Sequence, residues 1–258
     1  MRLNAVKILK ISVTNDSKKE ILEEIQKDLF QNAKKSSGAS KIVKIFTPNA
    51  EQIVLARENP EFRDVLNRAD ISLPDSVGVV WASRVLTQNP IPSTIPGVEF
   101  MENLAALAAG RHVSIGLIGG LGNIAIGALE CLQEKYQGLR GWDSESTDVV
   151  RIAERIKEHA SQFVFVGLGA PKQEFFIQSL ARQLQETHYK APVVLMAVGG
   201  SFDIIAGRLP RAPRLLRSLG LEWLWRLVLE PRRIVRQLSL VTFVWVVLRE
   251  KLSLKSKI

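Results

Sequence analysis

Residues 42–78 read IVKIFTPNAEQIVLARENPEFRDVLNRADISLPDSVG. An apolar run from Ile42 to Phe46 has the length and β-branched content of a buried strand, and it ends in Thr47-Pro48-Asn49. Asn49 stands where a helix N-cap belongs, with Gln52 three residues on in capping-box spacing. Pro60 suits the first turn of a second helix. A short apolar segment, Ile71 to Leu73, then ends in Pro74-Asp75 before another helical pattern. Two strand ends, each with polar residues at the mouth of the following helix, are what an open α/β sheet presents at its binding edge. Thr47, Asn49 and Asp75 are expected to meet in one crevice, with Asp75 the only acid among them.

Outward from that stretch the pattern repeats. Val6 to Val13 predicts a strand, and Asp16-Ser17 can cap a helix from Lys18 to about Gln31. Residues 88–96 form a proline-rich loop placed to lie over a site. Val113 to Ile118 predicts a strand that enters Gly119-Gly120-Leu121-Gly122. Leu139 to Asp143 suggests a short strand, and Val149 to His159 a helix. Phe163 to Val166 runs into Gly167-Leu168-Gly169, and Val193 to Val198 into Gly199-Gly200. Strands alternating with helices predict an α/β fold: a Rossmann-like, mostly parallel sheet covered by helices. Glycines at strand-to-helix turns let backbone N–H groups approach a phosphate, so Gly119, Gly120, Gly169 and Gly199 are candidate contacts for a nucleotide or phosphorylated ligand. The same glycines also serve tight turns for steric reasons alone. The Gly116 to Gly122 spacing is not a clean G-x-G-x-x-G, but Asp143, about 20 residues beyond it, stands where a ribose-binding acid belongs. Dinucleotide binding is therefore the alternative for that loop.

Charge divides the chain. The net charge is +9 over 258 residues, and residues 206–258 hold twelve Lys/Arg against three Asp/Glu, the whole excess. The expected organisation is a neutral α/β domain, 1–206, and a basic Trp/Arg-rich C-terminal helical appendage, 207–258, that meets something anionic. Leu240 to Leu248 is nearly all apolar but far short of the ~20 residues of a membrane span, so it packs in a core or lies at an interface. One cysteine, Cys131, excludes an intramolecular disulfide and suits a reducing compartment. No signal peptide is visible near Met1, and three scattered histidines suggest no metal cluster. A nucleic-acid binder would rest on tail charge alone and is not expected.

Several strings resemble one family. T-P-N-A-E-Q (47–52), F-R-D-V-L-N-R-A-D-I-S-L-P-D-S-V-G-V-V (62–80), V-G-L-G-A-P-K-Q-E (166–174), G-G-S-F-D (199–203), R-A-P (211–213), L-E-W-L-W-R (221–226) and E-P-R-R-I-V-R (230–236) are similar to the WecG/TagA/CpsF glycosyltransferases. The resemblance implies an inverting transferase. It would move a sugar of the N-acetylmannosamine type, or a related hexose, from a UDP-sugar to a polyprenyl-diphosphate-linked sugar in surface polysaccharide biosynthesis. It implies Asp75 as catalytic base, Thr47 and Asn49 at the active site, Gln173 as a substrate contact, and Arg226, Arg233 and Arg236 binding the diphosphate from the appendage. Asp203 is a candidate on the same ground, although Asp at a helix start is common as a cap. No cofactor or metal is expected, and the protein would work at the cytoplasmic face of the membrane, peripherally bound; a homo-oligomer is carried as an expectation. Ser76 stands where the family usually has Gly, and Thr94 where it commonly has Arg. These departures motivate the alternative of a non-catalytic nucleotide-sugar or lipid-diphosphate binding protein derived from that family.

Overall fold

The computed structural model describes residues 1, 3–31, 41–213, 216, 222–229 and 234–255. Strands are β1 (Ala5–Ile8), β2 (Ile11–Thr14), β3 (Ile42–Phe46), β4 (Ile71–Ser72), β5 (Ser114–Gly119), β6 (Arg140–Ser144), β7 (Ser161–Gly167) and β8 (Val193–Ala197). Helices of the body are α1 (Lys18–Gln26), α2 (Ala50–Glu58), α3 (Pro60–Asn67), α4 (Val77–Leu86), α5 (Gly97–Gly110), α6 (Ile124–Lys135), α7 (Val149–Glu158), α8 (Lys172–Glu186) and α9 (Ser201–Ile205). α10 (Glu222–Leu229) and α11 (Ile234–Lys255) follow.

Six strands form one parallel sheet in the order β4-β3-β8-β7-β5-β6. The fully apolar strands explain its position: alternate residues feed two cores. In β8, Val193, Leu195 and Ala197 join Ile53 of α2, Phe62 of α3 and Ile177 of α8 on one face. Val194 and Met196 join Phe100 of α5, Leu129 of α6 and Ile21 of α1 on the other. Because every strand runs the same way, all six C-terminal ends lie along one edge. β5 leads outward to β6, whereas β7 leads back to β8, so the chain diverges between the β5 and β7 ends, the topological switch point of the sheet.

Two expectations change. Val6 to Val13 is not one strand but a hairpin, β1 pairing antiparallel with β2 through Leu9 and Lys10 at φ 48° and 73°. Two consecutive left-handed residues make the turn a primed one, usually signalled by Asn or Gly, and neither is present to announce it. The helix after Ser17 ends at Gln26 and continues as a single π-helical turn over Lys27–Gln31. The capping box at its start is complete, with Ser17 accepting from Glu20 N and Glu20 reaching back to Ser17 N.

α11 packs across α2 and α4. Its Phe243, Val246 and Val247 are buried with the body core, while Leu238, Val241, Trp245, Leu248 and Leu252 form an exposed apolar stripe. The segment Leu240 to Leu248 thus has an inner face on the body and an outer face in the open.

Candidate active site

The C-terminal edge of the sheet gathers the candidate residues into a row. At the β4 end, Asp75 follows Pro74 and accepts a hydrogen bond at Oδ1 from Gly97 N, 2.6 Å away. That N–H belongs to the first residue of α5, so the carboxylate sits at a helix N-terminus, where negative charge is favourable. Gly97 is wedged in the corner: a β-carbon there would stand 3.2 Å from Thr47 Cγ2 and 3.7 Å from Asp75 Oδ1. Thr47, at the β3 end, is buried and donates from Oγ1 to Ala197 O at 3.5 Å, linking β3 to β8. Asn49 caps α2 through Oδ1, which accepts from Gln52 N at 3.0 Å. The proline-rich loop is pinned beside this corner: Ile95 N donates to Pro74 O at 2.9 Å, with Thr94 half-buried next to it.

The glycine turns differ among themselves. Gly119 and Gly167 serve close packing, since a β-carbon at Gly119 would lie 2.8 Å from Gly167 O, and one at Gly167 2.8 Å from the Phe202 ring. Phe202, 1% exposed, is the floor beneath both turns, and Gly120 rests on it too. Gly169 and Gly199, both at positive φ, face open space and are the positions that a ligand can approach. Gln173 is 1% exposed, and both of its amide atoms are engaged. Its Oε1 accepts from Gly199 N at 3.0 Å, and its Nε2 donates to Glu174 Oε1 at 2.8 Å. It holds the β8 turn from within. Glu174 is wholly buried, and burial pushes its carboxyl up to about 7, against the opposing pull of the Gln173 amide and its own backbone N–H.

The segment after α9 closes on the same edge. Arg211 Nη2 pairs with Glu99 Oε1 at 2.5 Å, in the first turn of α5 and two residues from Gly97. Trp225 Nε1 donates to Pro210 O at 3.0 Å and so ties α10 to that segment. Asp203 does not cap α9, because Gly200 occupies the cap. It lies in the first turn, its Oδ2 3.7 Å from where a Gly200 β-carbon would be. Arg233 and the side chains of Arg226 and Arg236 lie outside the described residues.

The model of the WecG/TagA/CpsF glycosyl transferase family matches residues 6–257. The chain belongs to the WecG/TagA/CpsF family. Among curated relatives, the N-acetylglucosaminyldiphosphoundecaprenol N-acetyl-beta-D-mannosaminyltransferases of Staphylococcus aureus strains NCTC 8325 and COL are each 31% identical, over 97% of this chain and 94% of theirs. The protein of that name from strain MRSA252 is 30% identical over the same shares. In this WecG/TagA/CpsF protein the structure brings Asp75, Thr47, Gly199 and Gln173 into one connected row. It also adds residues that the sequence reading passed over: Gly97, Glu99, Phe202 and Glu174. Glu174 reads in sequence as an ordinary acidic first turn on a surface helix. It is buried at the start of a helix, α8, that packs on α7, α3, β3, β7 and β8, which no local pattern encodes.

Proposed function

We propose that this protein is an inverting, UDP-sugar-dependent hexosyltransferase acting on a polyprenyl-diphosphate-linked sugar in surface polysaccharide biosynthesis. The donor sugar would be of the N-acetylmannosamine type. The observation that carries the reading is the Asp75–Gly97–Thr47 corner. There the Asp75 carboxylate accepts from Gly97 N through Oδ1, on the same sheet edge as the open Gly169 and Gly199 turns. Family membership and the names of its relatives support the acceptor class.

In this mechanism Asp75 takes the proton of the acceptor hydroxyl. The freed oxygen attacks the anomeric carbon from the face opposite the leaving group, a C–O bond forms, and the bond to the diphosphate breaks with its electron pair leaving on UDP. Amides of the Gly119, Gly120, Gly169 and Gly199 turns, with Arg226, Arg233 and Arg236, would hold the diphosphate and the charge that develops on it. Thr47 and Asn49 would orient the sugars, with Gln173 and Asp203 shaping the Gly199-Gly200 turn. Transfer would proceed with EDTA present. No helix among the described residues is long and apolar enough to cross a membrane. We assign peripheral binding at the inner membrane face to the basic segment 207–258 and the outer stripe of α11, as an appendage to the 1–206 catalytic domain, on the ground of their charge and exposed apolar side chains.

The test is UDP release from a panel of UDP-sugars, with and without polyprenyl-diphosphate-GlcNAc in detergent. Acceptor-dependent release from one donor is expected, and Asp75→Asn should lower turnover by about two to four orders of magnitude while UDP still binds. Wild-type turnover in Asp75→Asn would refute the base. UDP binding with no release from any donor would point instead to a nucleotide-sugar binding protein.

A further inference from the structure

Glu174 is a buried carboxyl that the transfer mechanism above does not use. It has no exposed surface, and its Oε2 is buried with no hydrogen-bond partner. Its Oε1 accepts from Gln173 Nε2 at 2.8 Å, which fixes the amide so that Gln173 Oε1 points at Gly199 N, 3.0 Å away. The Gly199 N–H can be met only by the carbonyl end of the Gln173 amide, and Nε2 at the other end then needs an acceptor. With Glu174 present only one orientation leaves both satisfied. Gly199 lies just past the end of β8, two residues beyond the carbonyl that Thr47 contacts, and its turn faces open space. We propose that Glu174 is a positioning residue of the active site: acting through Gln173, it sets the conformation of the Gly199-Gly200 turn against which the donor diphosphate lies. The proposal rests on the transferase reading for its consequence, and on the Glu174–Gln173–Gly199 relay for its geometry.

The relay works with a neutral carboxyl. Ionised, Glu174 would place an unpaired charge in the core, which draws in water or turns the side chain outward, and Gln173 follows. Nothing packed on α8 offsets that charge. β7 and β8 carry no charged residue, and Lys44 of β3 reaches Gln178, at 3.4 Å, further along the helix. Glu61, Asp64 and Arg68 of the α3 region line a groove with Gln178 and Arg182. On α7, Arg151, Glu154, Lys157 and Glu158 are exposed, and Arg155 bonds Asp143 O. On α8 itself Lys172, Arg182 and Glu186 are exposed.

The experiment compares wild type, Glu174→Ala and Glu174→Gln by solvent exchange of the Gly199 amide and by kcat and KM for the UDP-sugar donor at pH 6 and 8.5. Glu174→Ala should speed Gly199 exchange at least about tenfold and lower kcat/KM about ten- to a hundredfold, the scale of a misplaced binding group. Glu174→Gln, which keeps an acceptor for Gln173, should rescue both to within about threefold at pH 6 and hold kcat/KM at pH 8.5, where the wild type declines. An unchanged Gly199 exchange rate in Glu174→Ala, or superimposable pH profiles for wild type and Glu174→Gln, overturns the proposal. If Glu174→Ala does not fold, the Glu174→Gln profile decides. If wild type releases no UDP, the transferase reading fails while the Gly199 amide still decides the relay.

Discussion

Replacing Glu174 by Gln should change how the stability of the protein depends on pH. An acid whose folded-state pKa is raised contributes nothing below its unfolded value of 4.5, where both states hold the proton. As the pH rises from 4.5 towards about 7, the unfolded chain ionises while the folded one keeps its proton, so stability falls. Above about 7 the loss is complete. At ~1.36 kcal/mol per pH unit, the group alone costs about 2–3 kcal/mol between pH 5 and pH 8. The residue is fully buried, so solvent does not screen the effect. Glu174→Gln removes the ionisation but leaves an amide facing the site where Oε2 has no partner, a pH-independent cost of about 1–3 kcal/mol. The variant should therefore melt below wild type at pH 5 and gain on it steadily. For a chain of this size, the gap in Tm between the two should close or invert by roughly 5–10 °C by pH 8. Calorimetric scans of both proteins at half-unit pH steps measure it. Parallel Tm curves would show that Glu174 titrates as it does in the unfolded chain, and would remove the basis for a neutral buried carboxyl.

Three further outcomes follow from contacts already described. Gly167→Ala should destabilise the fold by about 1–3 kcal/mol, because the new methyl group meets the Phe202 ring at 2.8 Å and Gly199 O at 3.0 Å; denaturant melts would show it, and an unchanged midpoint would mean the turn has slack. Phe243→Ala should cost about 3–5 kcal/mol and expose the α11 junction to limited proteolysis, since this ring is buried where α11 crosses the body beside Gly78. The pair Trp245→Ser and Leu248→Ser, both on the outer stripe, should leave the melting midpoint within about 0.5 kcal/mol but weaken sedimentation with anionic vesicles; unchanged vesicle binding would take the lipid role away from α11.

By itself the sequence determined the alternation of strands and helices, the parallel sheet, the placing of candidate site residues at strand ends, and the concentration of charge in the last fifth of the chain. These are legible because they are local: apolar runs, glycine turns and capping residues act within a few positions of themselves. The capping roles of Ser17 and Asn49 are short-range for the same reason. What only the tertiary structure decided is non-local. The Leu9-Lys10 turn has no turn residue to announce it, and its backbone is held by strand pairing instead. Gln173 is joined to Gly199 because β8 arrives beside α8 from about 26 residues away in the chain. Leu240 to Leu248 divides its apolar residues between the body and the open because α2 and α4 offer a groove for only one face of the helix. Glu174 is written like a surface residue and is buried at the start of α8, a helix that packs on elements from separate parts of the chain. Its neighbours in space, not its neighbours in sequence, set its charge.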